Sequence, residues 1–251
     1  MLAHITPIIL TFNEEPNIER TLNALTWATR VLVIDSGSTD ATAKICQQFA
    51  NTEFIVNPFE TAAKQCNFAL AQGIQTSWVL SMDADYVLTA ELVRELKTLD
   101  PANGPDGYEI CFDYLIGGHP LRGSLYPPRV CLYRHKNAHY QQDGHTQRVN
   151  IDGVIGQLRS KIQHDDRKPF SRWLNSQKRY ARLEASKMRT HSFSTLKLVD
   201  KLRRLGLGPL LIVPYTLFAK GVVLDGKHGW KYTKERLIAE IEIWSALFLK
   251  K

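Results

Sequence analysis

Trp78-Val79-Leu80-Ser81-Met82-Asp83-Ala84-Asp85 reads as a β-strand that runs into two aspartates one residue apart, with helical sequence following at Glu91–Leu99. Working outward toward the N-terminus, the same unit recurs. Ala62–Ala71 reads as a helix, Glu53–Val56 as a short strand, Thr39–Phe49 as a helix and Val31–Asp35 as a strand that ends in the turn signal Ser36-Gly37-Ser38. Ile18, Leu22 and Leu25, at i, i+4 and i+7, give one apolar face to a further helix, with Asn13 as its expected cap and Pro16 just inside it. Ile5–Phe12 is a continuous β-prone run, as a strand covered on both faces requires. Strands alternating with helices predict an α/β fold with a doubly wound, mainly parallel sheet.

Toward the C-terminus the pattern changes. Pro101–Gly107 is a loop, and Tyr108–Leu115 and Arg129–Tyr133 read as antiparallel strands. His135–Gly144 is polar and reads as a loop, and Val154–Ile162 alternates. Phe170–Met188 is a helix with a basic face, and Asp225-Gly226 with Gly229 reads as a turn. Leu237, Ile241, Trp244 and Phe248 form one stripe of a last amphipathic helix. Two domains are expected, 1–165 carrying the sheet and 166–251 a basic amphipathic helical extension.

Charge follows the same division. Residues 1–159 hold 12 basic and 17 acidic residues, net −5, and residues 160–251 hold 20 and 8, net +12. A basic tail on a slightly acidic body can meet anionic lipid or a polyanionic substrate, or be a solvated helical surface. No basic surface interleaved with aromatics and no nucleic-acid motif is present, so no nucleic-acid partner is expected. Lys197, Lys201, Arg203 and Arg204 precede the apolar but Pro- and Gly-interrupted stretch Leu205–Phe218. That stretch is weak for a membrane span, which needs about 20 mostly apolar residues. It fits a segment lying in an anionic interface or an ordinary helical pair equally well. With 44% hydrophobic and 23% charged residues the chain is not disordered, and its N-terminus reads as a strand rather than a signal peptide. The four cysteines form no CxxC pair, which points to a reducing compartment.

Chemistry concentrates where strands end. In an open α/β sheet, ligands gather at the carboxyl ends of the strands. Asp83 and Asp85 at such an end can hold Mg²⁺ or Mn²⁺, hard ions that prefer oxygen and bridge to phosphates. Thr11–Glu15 and Asp35–Asp40 place further small polar and acidic groups at two more strand ends, where Asn13, Ser38 and Asp40 are also good helix caps.

Thr6–Ile18, Val33–Thr42 and Trp78–Asp85 resemble, in order and spacing, the inverting glycosyltransferase family 2, and within it the bacterial lipopolysaccharide-core β-glucosyltransferase branch. The resemblance covers residues 4–99 strongly and continues loosely to about residue 185. It implies a GT-A fold, a nucleotide-sugar donor (a UDP-hexose first), a divalent cation, and a saccharide or lipid-linked acceptor. Related transferases act on acceptors made at the cytoplasmic face, so a cytoplasmic enzyme is expected, its basic tail either peripheral on the inner face of the membrane or packed as an ordinary helical pair. Thr11, Asn13, Glu14 and Asp35 would line the nucleotide cleft, Asp35 facing the base and Glu14 the ribose. Lys64 and Asn67 fall where the family carries a basic residue and an asparagine, and Cys66 stands where many relatives carry arginine. Asp83 would lie near ribose and metal, Asp85 would be the main metal ligand, and His164 would approach metal or diphosphate.

An inverting transferase also needs a general base for the acceptor hydroxyl. Relatives supply a carboxylate from a His-Glu or Glu-Asp motif. The corresponding stretch here is Asp143-Gly144-His145-Thr146-Gln147, in which Thr146 cannot act as a base. Asp143 is the first candidate and His145 the second. Two other classes stay open. A nucleotidyltransferase lacks support in Thr11–Pro16, which has no glycine. A non-catalytic adaptor on a transferase fold draws support from Thr146.

Overall fold

The structure, a computed structural model, describes residues 1–143 and 146–249. In chain order its elements are β1 (Ile5–Thr11), α1 (Ile18–Asn23), β2 (Val31–Asp35), α2 (Thr42–Cys46), β3 (Thr52–Val56), α3 (Ala62–Leu70), β4 (Trp78–Asp83), β5 (Tyr86–Leu88) and α4 (Ala90–Thr98). Then follow β6 (Gly107–Ile110), β7 (Phe112–Ile116), β8 (His119–Pro120), β9 (Arg129–Arg134), β10 (Ala138–Asp143), β11 (Thr146–Ile151), β12 (Ile155–Gln157) and β13 (Ile162–His164). Four helices close the chain: α5 (Phe170–Thr190), α6 (Leu198–Arg204), α7 (Gly208–Pro214) and α8 (Gly226–Phe248).

The chain forms two compact units. The first comprises Met1–Asp113 and Tyr126–Arg167. Its seven-stranded sheet has the order β12-β6-β9-β4-β1-β2-β3. β4, β1, β2 and β3 run parallel, and β9 is antiparallel to both β4 and β6. The doubly wound, mainly parallel sheet read from the sequence is therefore present. The chain builds outward from β1 to β3, then returns to lay β4 on the other side of β1. Strand order reverses between β1 and β4, which is where such sheets bind ligands.

Along the central strands, side chains alternate between two cores. Ile5, Ile9, Val31, Val33, Trp78, Leu80 and Met82 join Ile18, Leu22 and Leu25 in one core, together with Leu92 and Leu96 of α4. Ile8, Leu32, Ile34 and Val79 join Ala63, Cys66 and Ala69 of α3 in a second. Helices cover both faces, so the strands need apolar residues at every position. The four cysteines are unpaired, and burial pushes the thiols of Cys46, Cys66 and Cys131 up to about 12, leaving them inert packing groups.

Several local expectations are corrected. Asn13 does not cap α1, because its backbone sits at φ 55° and the helix begins only at Ile18, after Asn17. The helix expected over Thr39–Phe49 is confined to Thr42–Cys46. Within the stretch expected to be a loop, Ala138–Asp143 is instead a strand, since β10 pairs with β11 in an antiparallel ribbon.

The second unit comprises Tyr114–Leu125 and the chain from Lys168 onward. The sequence placed 114–125 with the sheet and drew the boundary at 165/166. The structure instead packs Ile116 and Leu121, from the β7–β8 hairpin, with Leu217, Val222 and Tyr232. Ala181, Ala185 and Met188 of α5 meet Ile243 and Ala246 of α8. Gly229 is no turn: it lies in the first turns of α8, where a Cβ would stand 1.7 Å from the Val222 carbonyl oxygen. The apolar stripe of α8 is largely on the surface. Ile241, Trp244 and Phe248 are exposed, while Tyr232, Thr233, Glu240, Ile243 and Ala246 face inward. Glu240 is buried against Arg203, whose guanidinium is lowered by burial but raised overall by Glu240 and Asp200.

Candidate active site

Register sets the site. Leu10 of β1 is level with Asp83 of β4, and Thr11 is level with Asp35 of β2. Three polar strand ends therefore share one edge, at the point where strand order reverses.

At the β1–β2 end the groups organise one another. Asp35 is buried, and its Oδ1 accepts the backbone N–H groups of Gly37 (2.9 Å) and Ser38 (2.7 Å). Its Oδ2 accepts the hydroxyls of Thr11 (3.0 Å) and Ser38. Gly37 holds φ 93°, a backbone conformation that glycine adopts without strain. Asn13 ties this loop to β1. Its N–H donates to Ser38 Oγ at 2.6 Å, and its Oδ1 accepts Thr39 N–H at 2.7 Å. Asparagine is one of few non-glycine residues that tolerate positive φ, so the local strain is modest. Thr11, Asn13 and Asp35 are thus brought together, as the sequence predicts, and their hydrogen bonds hold the loop in one shape.

Glu14 points into a different network. Its Oε2 accepts Asn17 Nδ2 (2.9 Å), which also donates to Asp166 Oδ1 (3.0 Å). Arg20 donates to Asp165 Oδ2 (2.7 Å), Asp165 O (2.8 Å) and Asn17 Oδ1 (2.9 Å). The Asp165 carboxylate is almost wholly buried and also accepts Arg167 Nε at 2.9 Å. Burial draws the Arg20 guanidinium down, with Asp165 opposing. This network clamps 165–167 onto the start of α1. Arg20→Ala is expected to lower stability by about 3 kcal/mol, because a buried carboxylate loses one of its two cations. A urea midpoint equal to that of the unsubstituted chain would remove the clamp.

The clamp matters because His164 adjoins it. β13 pairs with β5 so that His164 stands opposite Tyr86, and Asp165 N–H donates to Asp85 O at 3.1 Å. His164 Nε2 then lies 3.5 Å from Asp85 Oδ2. The imidazole stacks on Tyr126 (centroids 4.5 Å, 26°) and meets Tyr86 edge-on at 5.6 Å. Asp83 is half-exposed and takes an ion pair from Arg129 Nη1 at 3.2 Å. Arg129 Nη1 also donates to Tyr86 OH at 2.9 Å, and the Tyr86 and Tyr126 hydroxyls share a hydrogen bond. Burial, with Asp83 nearby, keeps both phenols protonated. Burial opposes the charge on Arg129, but Tyr86 and Asp83 outweigh it and keep the guanidinium firmly charged. Asp83 and Asp85 are therefore linked through Arg129, two tyrosines and His164.

Other predicted residues are placed elsewhere. Lys64 pairs with Glu60 on an exposed helix face. The Asn67 amide is taken by β10, its Nδ2 donating to Tyr140 O (2.9 Å) and its Oδ1 accepting Tyr140 N–H (2.8 Å). It completes the edge of the ribbon as a strand would. Cys66, where many relatives carry arginine, is buried and feels Asp83, Arg129 and Gln147. Gln147 is paired with Gln142, whose Oε1 accepts Ala63 N–H at the start of α3. The Gln142–Gln147 end of the β10–β11 ribbon therefore lies beside α3, near Cys66. Asp143 is paired across the ribbon with Thr146, whose hydroxyl donates to the Asp143 carbonyl (3.0 Å). His145 lies outside the described residues.

Asn17, Arg20, Tyr86 and Tyr126 escaped the sequence reading. No motif marks them, since each gains its role from a partner distant in the chain. Among the described residues no group of three His, Cys, Asp or Glu is arranged to hold a metal.

Residues 6–117 match the family described as Glycosyl transferase family 2. An uncharacterized glycosyltransferase of Rickettsia typhi is 34% identical over 108 residues, 43% of this chain and 36% of that protein. The lipopolysaccharide core biosynthesis glycosyltransferase LpsC of Rhizobium meliloti is 33% identical over 96 residues, 37% of this chain and 35% of its own length. The match thus spans little more than a third of the length of these relatives. Among solved structures, the mannosyltransferase PcManGT from Pyrobaculum calidifontis, in complex with GDP-Man and Mn²⁺, has a TM-score of 0.55 at 15% identity, covering 99% of this chain and 88% of its own. TarS 1-349 from S. aureus, in complex with UDP-GlcNAc, has a TM-score of 0.51 at 16% identity, covering 97% and 90%. Residues 6–117 are thus similar to glycosyl transferase family 2, and the chain has the GT-A α/β fold with a helical C-terminal region.

Proposed function

We propose that this chain transfers a hexose from a nucleotide-sugar donor to a saccharide or lipid-linked acceptor, with inversion at the anomeric carbon. The observation that carries this reading is the convergence, at one sheet edge, of the Thr11–Asp35 loop, Asp83 and the Asp85–His164 pair. The acceptor is proposed to belong to cell-envelope glycan, lipopolysaccharide core first, on the support of the Rhizobium meliloti relative. The work is proposed to take place in the cytoplasm.

The Asp85–His164 pair has the chemistry for a divalent cation. At bonds of about 2.1 Å, neighbouring ligand atoms on one octahedral ion lie about 3 Å apart, and Asp85 Oδ2 and His164 Nε2 are 3.5 Å apart. The Asp85 carboxylate suits Mg²⁺ and Mn²⁺ alike, and the His164 imidazole shifts the preference toward Mn²⁺. Asp85 and His164 would hold the ion beside the diphosphate of a bound donor. Bound there, the cation supplies positive charge to the departing diphosphate.

The chain's own groups do the rest. The loop held by Asp35 and Asn13 shapes the nucleotide end, and Asp83, oriented by Arg129, meets the ribose. Asp143 takes the proton of the acceptor hydroxyl. The freed oxygen forms its bond to the anomeric carbon as the bond to the diphosphate oxygen breaks on the opposite face. The products are the glycoside and a nucleoside diphosphate.

Thermal unfolding with UDP, GDP or dTDP, each with Mn²⁺, tests this reading. A ligand selective for the folded state stabilises it by about 2.7 kcal/mol at a hundredfold excess over Kd. One nucleotide is expected to raise the midpoint, and EDTA to cancel the rise. No rise with any of the three would sink the donor assignment.

A further inference from the structure

The segment 205–219 contains no charged residue and is built inside out. Leu207, Leu210, Leu211, Pro214, Tyr215 and Phe218 recur at helical spacing, and this stripe faces solvent. Leu210 is 72% exposed and Phe218 70%, whereas Gly208, Thr216 and Leu217 face inward. The turn continues past Pro214 because Thr216 Oγ1 donates to Ile212 O (2.7 Å) and Lys220 N–H to Tyr215 O (3.0 Å). The patch extends onto α8. Gly206, between exposed Leu205 and Leu207, lies against Trp244 and Phe248, which are themselves exposed. A contiguous apolar surface of this kind marks an interaction site rather than an ordinary solvated face.

The surrounding charge identifies the occupant. Residues 197–234 hold eight Lys or Arg and only two acids. Both acids, Asp200 and Asp225, are buried; Asp200 is paired to Arg203, and Asp225 to Arg122. Lys201 and Arg204 flank the exposed Phe193 ring at 5.8 and 5.9 Å, and Lys220 lies 5.8 Å from the Tyr215 ring. Lys227, Trp230, Lys231 and Lys234 share one exposed face of α8. A second copy would bring this rim against a like-charged rim, which opposes association. A bilayer bearing anionic headgroups offers both the apolar interior and the opposite charge. No single described helix is long and apolar enough to cross a membrane, and 208–219 with 222–248 passes that test only as a pair bent by 74°.

We propose that the C-terminal unit docks on an anionic lipid surface, inserting the apolar stripe of 205–218 with Trp244 and Phe248 to headgroup depth while the basic rim engages lipid phosphates. The proposal stands apart from the transferase reading, because vesicle binding requires no donor, acceptor or metal.

The test is co-sedimentation of the full chain with vesicles of phosphatidylcholine alone or mixed with phosphatidylglycerol. The chain is expected to bind the mixed vesicles at low salt, and to be released by high salt. Leu210→Ser with Phe218→Ser should weaken binding at least about tenfold. Lys227→Glu with Lys231→Glu should do the same through charge, at about 1 kcal/mol for each basic residue near the surface. All these side chains are exposed, and unfolding midpoints equal to the parent's confirm that the fold is kept. Absence of binding to mixed vesicles, or binding indifferent to both pairs of substitutions, overturns the proposal. So does resistance to a carbonate wash, which would mean a re-entrant or spanning segment. A dimer lost in the Leu210→Ser, Phe218→Ser chain, without vesicle binding, would assign the face to a second copy and overturn it equally.

Discussion

Asp85→Asn is expected to lower kcat by about 10³-fold while the unfolding midpoint stays near that of the parent. The amide keeps the shape of the carboxylate but removes the charge that would hold a cation beside His164 Nε2, 3.5 Å away. Loss of a metal's electrostatic help at a leaving diphosphate is worth several kcal/mol, and about 4 kcal/mol corresponds to that factor. The nucleotide-induced rise in melting midpoint should lose its Mn²⁺ dependence in the same variant. Unimpaired transfer by Asp85→Asn with metal present would take the cation away from this pair.

Asp143→Asn is expected to reduce kcat by about 10³-fold, within the range for removing a general base. Donor binding should hardly change. Asparagine fills the same position at the end of the ribbon, and the hydrogen bond from Thr146 goes to the Asp143 main-chain carbonyl, which the substitution keeps. The discriminating measurement is therefore the split between kcat and the nucleotide-induced thermal shift. A fall in both would make Asp143 a structural residue. If His145→Asn carries the loss and Asp143→Asn does not, the imidazole is the base.

Where the sequence misled, the cause was a choice that local pattern leaves open. β10 and β11, Ala-His-Tyr-Gln-Gln-Asp and Thr-Gln-Arg-Val-Asn-Ile, carry mostly polar residues, and their few apolar ones, Ala138, Tyr140, Val149 and Ile151, find their core only once the ribbon folds onto α3 through Asn67 and Gln142. The last helix carries two faces that could be buried. Ile243 and Ala246 pack against the small residues Ala181 and Ala185, and this contact leaves Trp244 and Phe248 outside. Lys64 and Asn67 sit on α3 as expected, yet a neighbouring glutamate and a strand edge occupy their side chains.

The sequence by itself determined the central strands, their order of appearance and the polar groups at their ends. Each of those rests on the apolar run or helical spacing of a few neighbouring residues, and the two-sided burial of β1, β2 and β4 follows from it. Only the tertiary structure decided that His164 reaches Asp85 and that Arg129 holds Asp83. It also decided that Arg20 and Asn17 clamp 165–167. Those pairings depend on strand register and on partners up to 150 positions apart, as in the bond from Arg167 N–H to Asn17. No local periodicity encodes such a partner, because it is selected by how the strands and helices pack against one another.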